Sequence, residues 1–402
     1  MKRFFLFLCL ALAVSCGDSL SFPKWYCRNT YYPVFDVRDS LFSSSDSTSS
    51  DEPVKPRDNN IYLLTLEYPQ GYDFLTDSLK GVVSGCYLKV YKNFALHRSI
   101  EVSDSNEVDS AEDNNYLIGG HHYSVYKGRE NTLIKLDGES LFTLPAGHRV
   151  SGLIVIEGSV YTLSFSQGQW LLSRDGVPLR IGSGEIFHNL YDDCGDPCFA
   201  WKDGRDVYIY YNGKYERVEI GGNSVDDVCH LGSFGLMAVS DIESCPVAYA
   251  KANDAEKWEV YSFMDYIGVS FPGAYIIPSG EDIYFVMEMA DEGHSNSGVV
   301  VFYQGSLDFM IDFTCTIPVF HSCSAPVITG KAKDGSVIAF SHNLYFEFPE
   351  RFISPHGAIM FNDSRYFALA QNSPDTPITI YCEDEPIKVM EINGLPLAFS
   401  KD

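Results

Sequence analysis

The chain has 402 residues, with 54 Asp and Glu against 29 Lys and Arg, giving a formal net charge of −25. A body this acidic repels phosphate backbones and anionic headgroups, which argues against nucleic acid and acidic membranes as partners. Aromatics make up 14% and charged residues 21%, with 26 Tyr and 27 Phe and no long amphipathic helical period, a composition that suits a sheet-rich protein with a large core.

Residues 1–15 read as an export signal. Lys2 and Arg3 give the positive start, and Phe4 to Val14 is an apolar core too short to span a bilayer. Ala13-Val14-Ser15-Cys16 follows. A small residue and then Cys directly after the apolar core resembles the lipobox of bacterial lipoproteins, with Ala13 where Leu is usual. That resemblance implies that Cys16 is the lipid-bearing first residue of the mature chain. The plainer alternative is a cleaved signal with an incidental Cys. Residues 16–59 form the N-terminal segment. Its first part is aromatic, with Trp25, Tyr26, Tyr31, Tyr32 and Phe35, and residues 39–59 are rich in Ser and Asp, like a leash.

Residues 60–402 read as one domain of repeated strand–turn units. The clearest is Ser151 to Gly184: SGLIVIEG, SVYTLSFSQG, QWLLSRDG, VPLRIGSG. Four apolar runs, each closed by a Gly that accepts the positive φ of a tight hairpin, predict a four-stranded antiparallel meander. The turn before the last strand recurs at Lys92-Asn93, Asp137-Gly138, Asn212-Gly213, Gln304-Gly305 and Glu383-Asp384, with weaker members at Met264-Asp265 and Pro349-Glu350. The mean step is about 42 residues, inside the range of roughly 40–50 for propeller blades. One sheet cannot bury both its faces, so such units must stack. The expected fold is all-β: a β-propeller of four-stranded antiparallel blades, eight by this count and seven as the alternative. The first unit, from Ile61, lacks an opening strand, and an extra apolar run, Leu395 to Ser400, follows the last. LPLAFS is therefore expected to complete the first blade, with Tyr32 to Val37 as the rival for that place.

Of eleven Cys, Cys9 belongs to the signal and Cys16 to the proposed anchor. Export permits disulfides, and the near-sequence pairs are Cys194–Cys198, Cys229–Cys245 and Cys315–Cys323, against buried free thiols as the alternative. No metal site is expected. Cys194 and Cys198 with His188 lack paired zinc spacings, and the acidic loops 103–114 and 190–196 lack calcium-loop spacing. No cofactor motif and no GxSxG or HExxH is present, so no catalytic residue is assigned. Ser173-Arg174-Asp175-Gly176 begins like a sialidase Asp-box but is not repeated, and reads as an ordinary hairpin turn. His121 and His122 point to opposite faces of a strand, one inward and one outward, and Trp170 and Trp201 read as packing between blades.

The lipobox-like AVSC, the acidic exported body and strand–turn repeats ending YKG, YNG, YQG or RDG together resemble the β-propeller lipoproteins common in Bacteroidetes envelopes. The resemblance implies an envelope-anchored, non-catalytic binding or scaffold protein at the outer membrane, whose ligand is a glycan, a peptide or a protein. The alternative is a carbohydrate-active hydrolase or lyase using channel-lining carboxylates.

Overall fold

The computed structural model describes residues 60–70, 84–102, 114–127, 131–145, 147–193, 195–220, 224–232, 235–242, 245–253, 257–262, 270–279, 282–290, 297–303, 306–313, 319–321, 327–331, 335–341, 344–354, 356–362, 364–371 and 377–401. The signal, Cys16 and Tyr32 to Val37 lie outside them.

The described residues form eight four-stranded antiparallel sheets. Blade 1 holds β1 (Ile61–Glu67), β2 (Tyr87–Lys92) and β3 (Ala95–Glu101). Blade 2 is β4 (Asn115–Ile118), β5 (His121–Lys127), β6 (Asn131–Leu136) and β7 (Glu139–Pro145). Blade 3 is β8 (Arg149–Ile156), β9 (Ser159–Ser166), β10 (Gln169–Arg174) and β11 (Val177–Ser183). Blade 4 is β12 (Glu185–Asp193), β13 (Asp196–Asp203), β14 (Asp206–Tyr211) and β15 (Lys214–Val218). Blade 5 is β16 (Asp227–Leu231), β17 (Gly235–Ile242), β18 (Cys245–Lys251) and β19 (Glu259–Ser262). Blade 6 is β20 (Ser270–Ser279), β21 (Asp282–Ala290), β22 (Ser297–Tyr303) and β23 (Ser306–Phe313). Blade 7 is β24 (Val319–His321), β25 (Val327–Lys331), β26 (Val337–Ser341) and β27 (Leu344–Phe348). Blade 8 is β28 (Ala358–Phe361), β29 (Ser364–Leu369), β30 (Ile378–Cys382) and β31 (Glu385–Met390). The last strand, β32 (Gly394–Lys401), returns to blade 1, where it pairs with β1 from Ile61 to Glu67.

The recurring turn has a physical reason. In blade 1 it stands at Asn93-Phe94, one residue later than the expected Lys92-Asn93, because Lys92 still pairs with Ala95. The first residue of the turn takes positive φ in Asn93 (48°), Asp137 (54°), Asp175 (49°) and Glu383 (56°). Each then clasps the start of the blade's second strand. The backbone N–H of Asn93, Asp137, Asp175 and Glu383 donates to the carbonyl of Ile61, His122, Val160 and Arg365 respectively, at 2.7–2.8 Å. The side-chain oxygen of the same residue accepts that partner's N–H, at 3.0, 3.0, 2.8 and 3.0 Å. An acceptor side chain on a residue held in the left-handed region is what this double clasp requires, and Asn and Asp meet it with the least strain. Asp175→Ala removes the acceptor and places a methyl at positive φ, so about 2 kcal/mol should be lost from urea-unfolding stability. Asp175→Asn, which keeps both properties, should lose less than half of that.

The blades pack face to face, and alternation along β1 shows how. Tyr62, Leu64 and Leu66 enter a core with Leu117 of blade 2, while Ile61 and Leu63 enter another with Ile359, Ala368 and Ile380 of blade 8. Burying both faces explains why β1 is buried along its whole length. Among the described residues, the innermost strands touch around the axis: β28 with β32, β32 with β4, and on through β8, β12 and β16 to β20.

The outermost strands are guarded edges. In blades 1, 2, 3, 6 and 8 the register slips by one residue at the same place, leaving the third residue of the outer strand unpaired: His97, Leu141, Leu179, Asp308 and Ile387. A bulge there twists the free edge and discourages strand addition. Two further expectations about the turns need correction. Pro349-Glu350 follows β27 rather than preceding it, because the blade 7 turn lies between Ser341 and Leu344. Met264-Asp265 comes after β19, so it does not precede the last strand of blade 5, and like Gln304-Gly305 it lies outside the described residues.

Candidate functional site

Polar, titratable side chains gather on the inner strands of blades 4 and 5, and the irregular strand β12 sets them up. Its pairing with β13 slips twice, between Ile186 and His188 and between His188 and Tyr191. Bulges re-aim side chains and bend a strand. Here they let one strand reach both of its neighbours.

Toward blade 3, Asn189 Nδ2 donates to the Ser151 carbonyl at 2.6 Å. Toward blade 5, His188 Nδ1 donates to Asp227 Oδ1 at 2.7 Å. The other carboxylate oxygen of Asp227 accepts the Ile276 N–H of blade 6 at 2.8 Å, so this one residue ties three blades together. Tyr191 Oη donates to the His230 carbonyl at 3.0 Å and accepts the His230 N–H at 2.7 Å. The His230 ring is sandwiched chemically as well. Nδ1 meets Asp193 Oδ2, Nε2 meets Asn253 Oδ1 at 2.8 Å, and the Tyr211 ring stacks on it at 4.2 Å. Asp193 Oδ1 accepts the Gly232 N–H at 2.7 Å. With 1% and 5% of their side chains exposed, His230 and Asp193 form a buried pair whose remaining polar atoms are hydrogen-bonded, the condition under which such a pair is tolerated.

His188 is 17% exposed and edge-on to Tyr191. Burial opposes its charge, but the charge and hydrogen bond of Asp227 outweigh that and raise its pKa above the ordinary value. An Asp-oriented imidazole is a catalytic part when a nucleophile lies beside it. The thiols of this region do not supply one. Burial pushes Cys198 up to about 12, and Cys229 is raised well above its usual value, also chiefly by burial. A thiol held protonated is a poor nucleophile.

These thiols also correct the disulfide expectation. Cys198 and Cys229 are free and buried. Cys198 faces the core between blades 4 and 5 and donates to Tyr191 Oη at 2.8 Å, so the Cys194–Cys198 bridge is not formed. Cys229 pairs with Met237 of β17, whereas Cys245 pairs with Ile242 of that strand. Five residues of strand separate those positions by about 17 Å, too far for a bridge. Cys194, Cys315 and Cys323 lie outside the described residues, as does Cys16.

A second polar group lies at the rim between blades 1 and 2. An open groove of about 440 Å³ is lined by Arg98, Leu136, Asp137, Glu139, Ser140 and Leu141. Of its two carboxylates, Asp137 is already engaged. Burial pushes Asp137 up, but the His121 hydrogen bond at 2.8 Å, the His122 N–H and the Arg98 charge hold it below the usual range. His121 is exposed and His122 buried, as expected for neighbours on a strand. Trp170 and Trp201 are both buried between blades 3 and 4, their ring centroids 4.7 Å apart.

No family model matches the chain, and no curated protein matches it by sequence. Solved structures do resemble it. Dihydro-heme d1 dehydrogenase NirN in complex with DHE shares 14% identity over 87% of this chain and 77% of that one, with a TM-score of 0.50. The fold is a β-propeller. At that identity the likeness is one of fold alone. AztD from Citrobacter koseri (8% identity, 85% and 98% coverage, TM-score 0.47) and Hsv2p from Kluyveromyces lactis (9%, 63% and 86%, TM-score 0.39) are also similar.

The inner-strand stitches of this propeller escape motif reading, yet they leave a signal. The partners are one blade apart in sequence: Asn189 and Ser151 by 38 residues, His188 and Asp227 by 39, Tyr191 and His230 by 39, Asp193 and His230 by 37. Polar residues separated by one repeat period on successive inner strands are candidates for such ties.

Proposed function

We propose that the chain is an exported, lipid-anchored, non-catalytic binding or scaffold protein of a bacterial cell envelope, held through Cys16 at the outer membrane. Its ligand is a glycan, a peptide or a protein. The observation that carries this reading is the use made of the inner-strand polar groups. His188, Tyr191, Asp193, Asp227 and His230 join blade to blade and are engaged with protein partners. Groups fixed in this way rigidify a scaffold, and a rigid scaffold that presents loops and edges is suited to recognition.

The test is a combined retention and turnover screen of the body from Gly17 onward against glycans, peptides and envelope extracts. Retention without turnover is the expected result. Release of reducing ends or unsaturated sugar products would overturn the non-catalytic reading in favour of a carbohydrate-active enzyme. For the anchor, Cys16→Ser should move the protein from the membrane fraction to the soluble fraction. Unchanged membrane association of that variant would overturn the lipid attachment.

A further inference from the structure

The groove between blades 1 and 2 keeps one charge unspent. Its volume of about 440 Å³ is enough for a few residues of extended chain, and it is lined by Arg98 of blade 1 and by Asp137, Glu139 and Leu141 among the blade 2 residues. Arg98 is paired with Asp137, so those two charges cancel. Glu139 is exposed and, among the described residues, has no hydrogen bond or ion pair. The lining therefore carries one carboxylate in excess of its cation. Leu141, the bulged residue of β7, is 42% exposed along the same wall. An aliphatic stem that ends in a cation fits such a wall, the stem lying on leucine and the charge meeting the carboxylate.

The chain itself delivers such a side chain to this place. The described residues begin at Asn60, whose Oδ1 accepts from Asn93 Nδ2 at 3.0 Å, and the next N–H, of Ile61, donates to Asn93 Oδ1 at 3.0 Å. The chain thus enters blade 1 beside the turn that opens β3. Arg98 stands five residues along from Asn93, at most about 17 Å away at the rise of a strand. The leash just upstream reads Asp51-Glu52-Pro53-Val54-Lys55-Pro56-Arg57-Asp58-Asn59, and Lys55 and Arg57 are the only basic residues between Arg38 and Lys80. Lys55 precedes Asn60 by five residues, and an extended chain of that length also spans about 17 Å. Pro56 biases Lys55 toward the extended conformation that this reach requires.

Magnitude selects the occupant. An exposed Lys–Glu pair shifts an equilibrium by at most roughly fivefold. That is too little to hold a free peptide, which must also give up its translational freedom. A segment tethered five residues away has given up most of that freedom already, and meets the groove at an effective concentration of about millimolar or more. A shallow groove with a single unspent charge is therefore suited to a tethered strap and poorly suited to a diffusing ligand.

We propose that residues 51–59 dock in this groove as a strap, with Lys55 paired to Glu139 and its stem lying on Leu141. The strap ties blade 1, where β32 closes the ring, to blade 2. Neither the lipid anchor nor the binding-protein reading is needed for this contact.

The experiment treats the full mature chain with a zero-length carbodiimide, which joins a lysine amine to a carboxylate only where the two touch, and maps the products by mass spectrometry. The expected result is an intramolecular Lys55–Glu139 link whose yield does not depend on protein concentration, with the Lys251–Glu216 ion pair as the internal standard. Limited trypsin digestion is the second readout. Lys55-Pro56 resists trypsin, so Arg57 is the cleavage site of the leash. Glu139→Lys replaces attraction by repulsion and should speed cleavage after Arg57 by about three- to tenfold. Adding Lys55→Glu to that variant should restore protection, and 1 M salt should remove it from wild type. Thermal unfolding checks that Glu139→Lys keeps its fold; should it not, Glu139→Gln takes its place. A missing Lys55–Glu139 link where Lys251–Glu216 forms would overturn the proposal, as would a Lys55 link to a different carboxylate. A link that forms only between molecules, growing with concentration, would assign the groove to a second copy and overturn the strap. Equal cleavage rates in wild type and Glu139→Lys would overturn it too.

Discussion

Deleting residues 394–402 should abolish cooperative folding of the body. These residues include β32, the strand that closes the ring from the opposite end of the sequence, pairing with β1 along its length. Leu397, Ala398 and Phe399 are 2%, 3% and 7% exposed. Burying a large apolar side chain contributes about 1.5–3 kcal/mol, so Leu397 and Phe399 alone represent several kcal/mol against a typical net stability of about 5–15 kcal/mol. The deletion also strips β1 of one hydrogen-bonding neighbour, and β1 is buried throughout, with no solvent to take up the exposed edge. Further ties would go with it: the Phe399 N–H to the His356 carbonyl at 2.9 Å, and Ser400 Oγ to the Gly120 N–H at 3.2 Å. The expected outcome is far-UV sheet signal without a sigmoidal thermal transition, with rapid proteolysis. A synthetic GLPLAFSK peptide added in excess should restore part of the transition by taking the vacant place. A truncated chain melting within a few degrees of wild type would show that closure lies elsewhere.

What the sequence disclosed followed from how local each feature is. Hairpin turns are local, so Asp137-Gly138, Asp175-Gly176 and Asn212-Gly213 could be read directly and stand where expected. The closing strand could be read as well, because a blade short of one strand and an unplaced apolar run imply each other. Blade 7 was harder. Its first strand is only Val319–His321, too short for alternation to register, while the Arg351-Phe352-Ile353-Ser354 run after β27 reads like a strand and shifts the frame by one. The outer-edge bulges were also invisible, since Leu141, Leu179 and Ile387 look like ordinary strand positions. The inner-strand polar site depends on contacts between blades, which no local pattern encodes. His188 looked like a candidate zinc neighbour of Cys194 and Cys198. The bulges of β12 turn it instead toward Asp227, one blade period away.

Asp227→Ala should be the most damaging single substitution among these ties. It removes the acceptor of His188 Nδ1, of the Ile276 N–H and of the Val228 N–H, the last at 2.8 Å. Breaking a buried pair by deleting one member costs about 3–5 kcal/mol, because the other is left without its partner. The pH dependence separates this cause from simple loss of packing. The pKa of His188 is raised in the folded state, so burial notwithstanding, the pair with Asp227 favours the charged ring. A raised value means that the contribution of His188 to stability is complete below its unfolded pKa of about 6.5 and is lost as pH rises through the higher folded value. The stability difference between wild type and His188→Gln, measured by urea unfolding, should therefore be larger at pH 6 than at pH 9. In Asp227→Ala the same imidazole keeps its burial and loses its counter-charge, so desolvation alone acts and its pKa should fall. The variant then loses stability on acidification through His188, and its deficit against wild type should widen from pH 9 to pH 6. A deficit that stays constant across that range would assign the loss to the severed Ile276 tie between blades 5 and 6 and not to the charge of the pair.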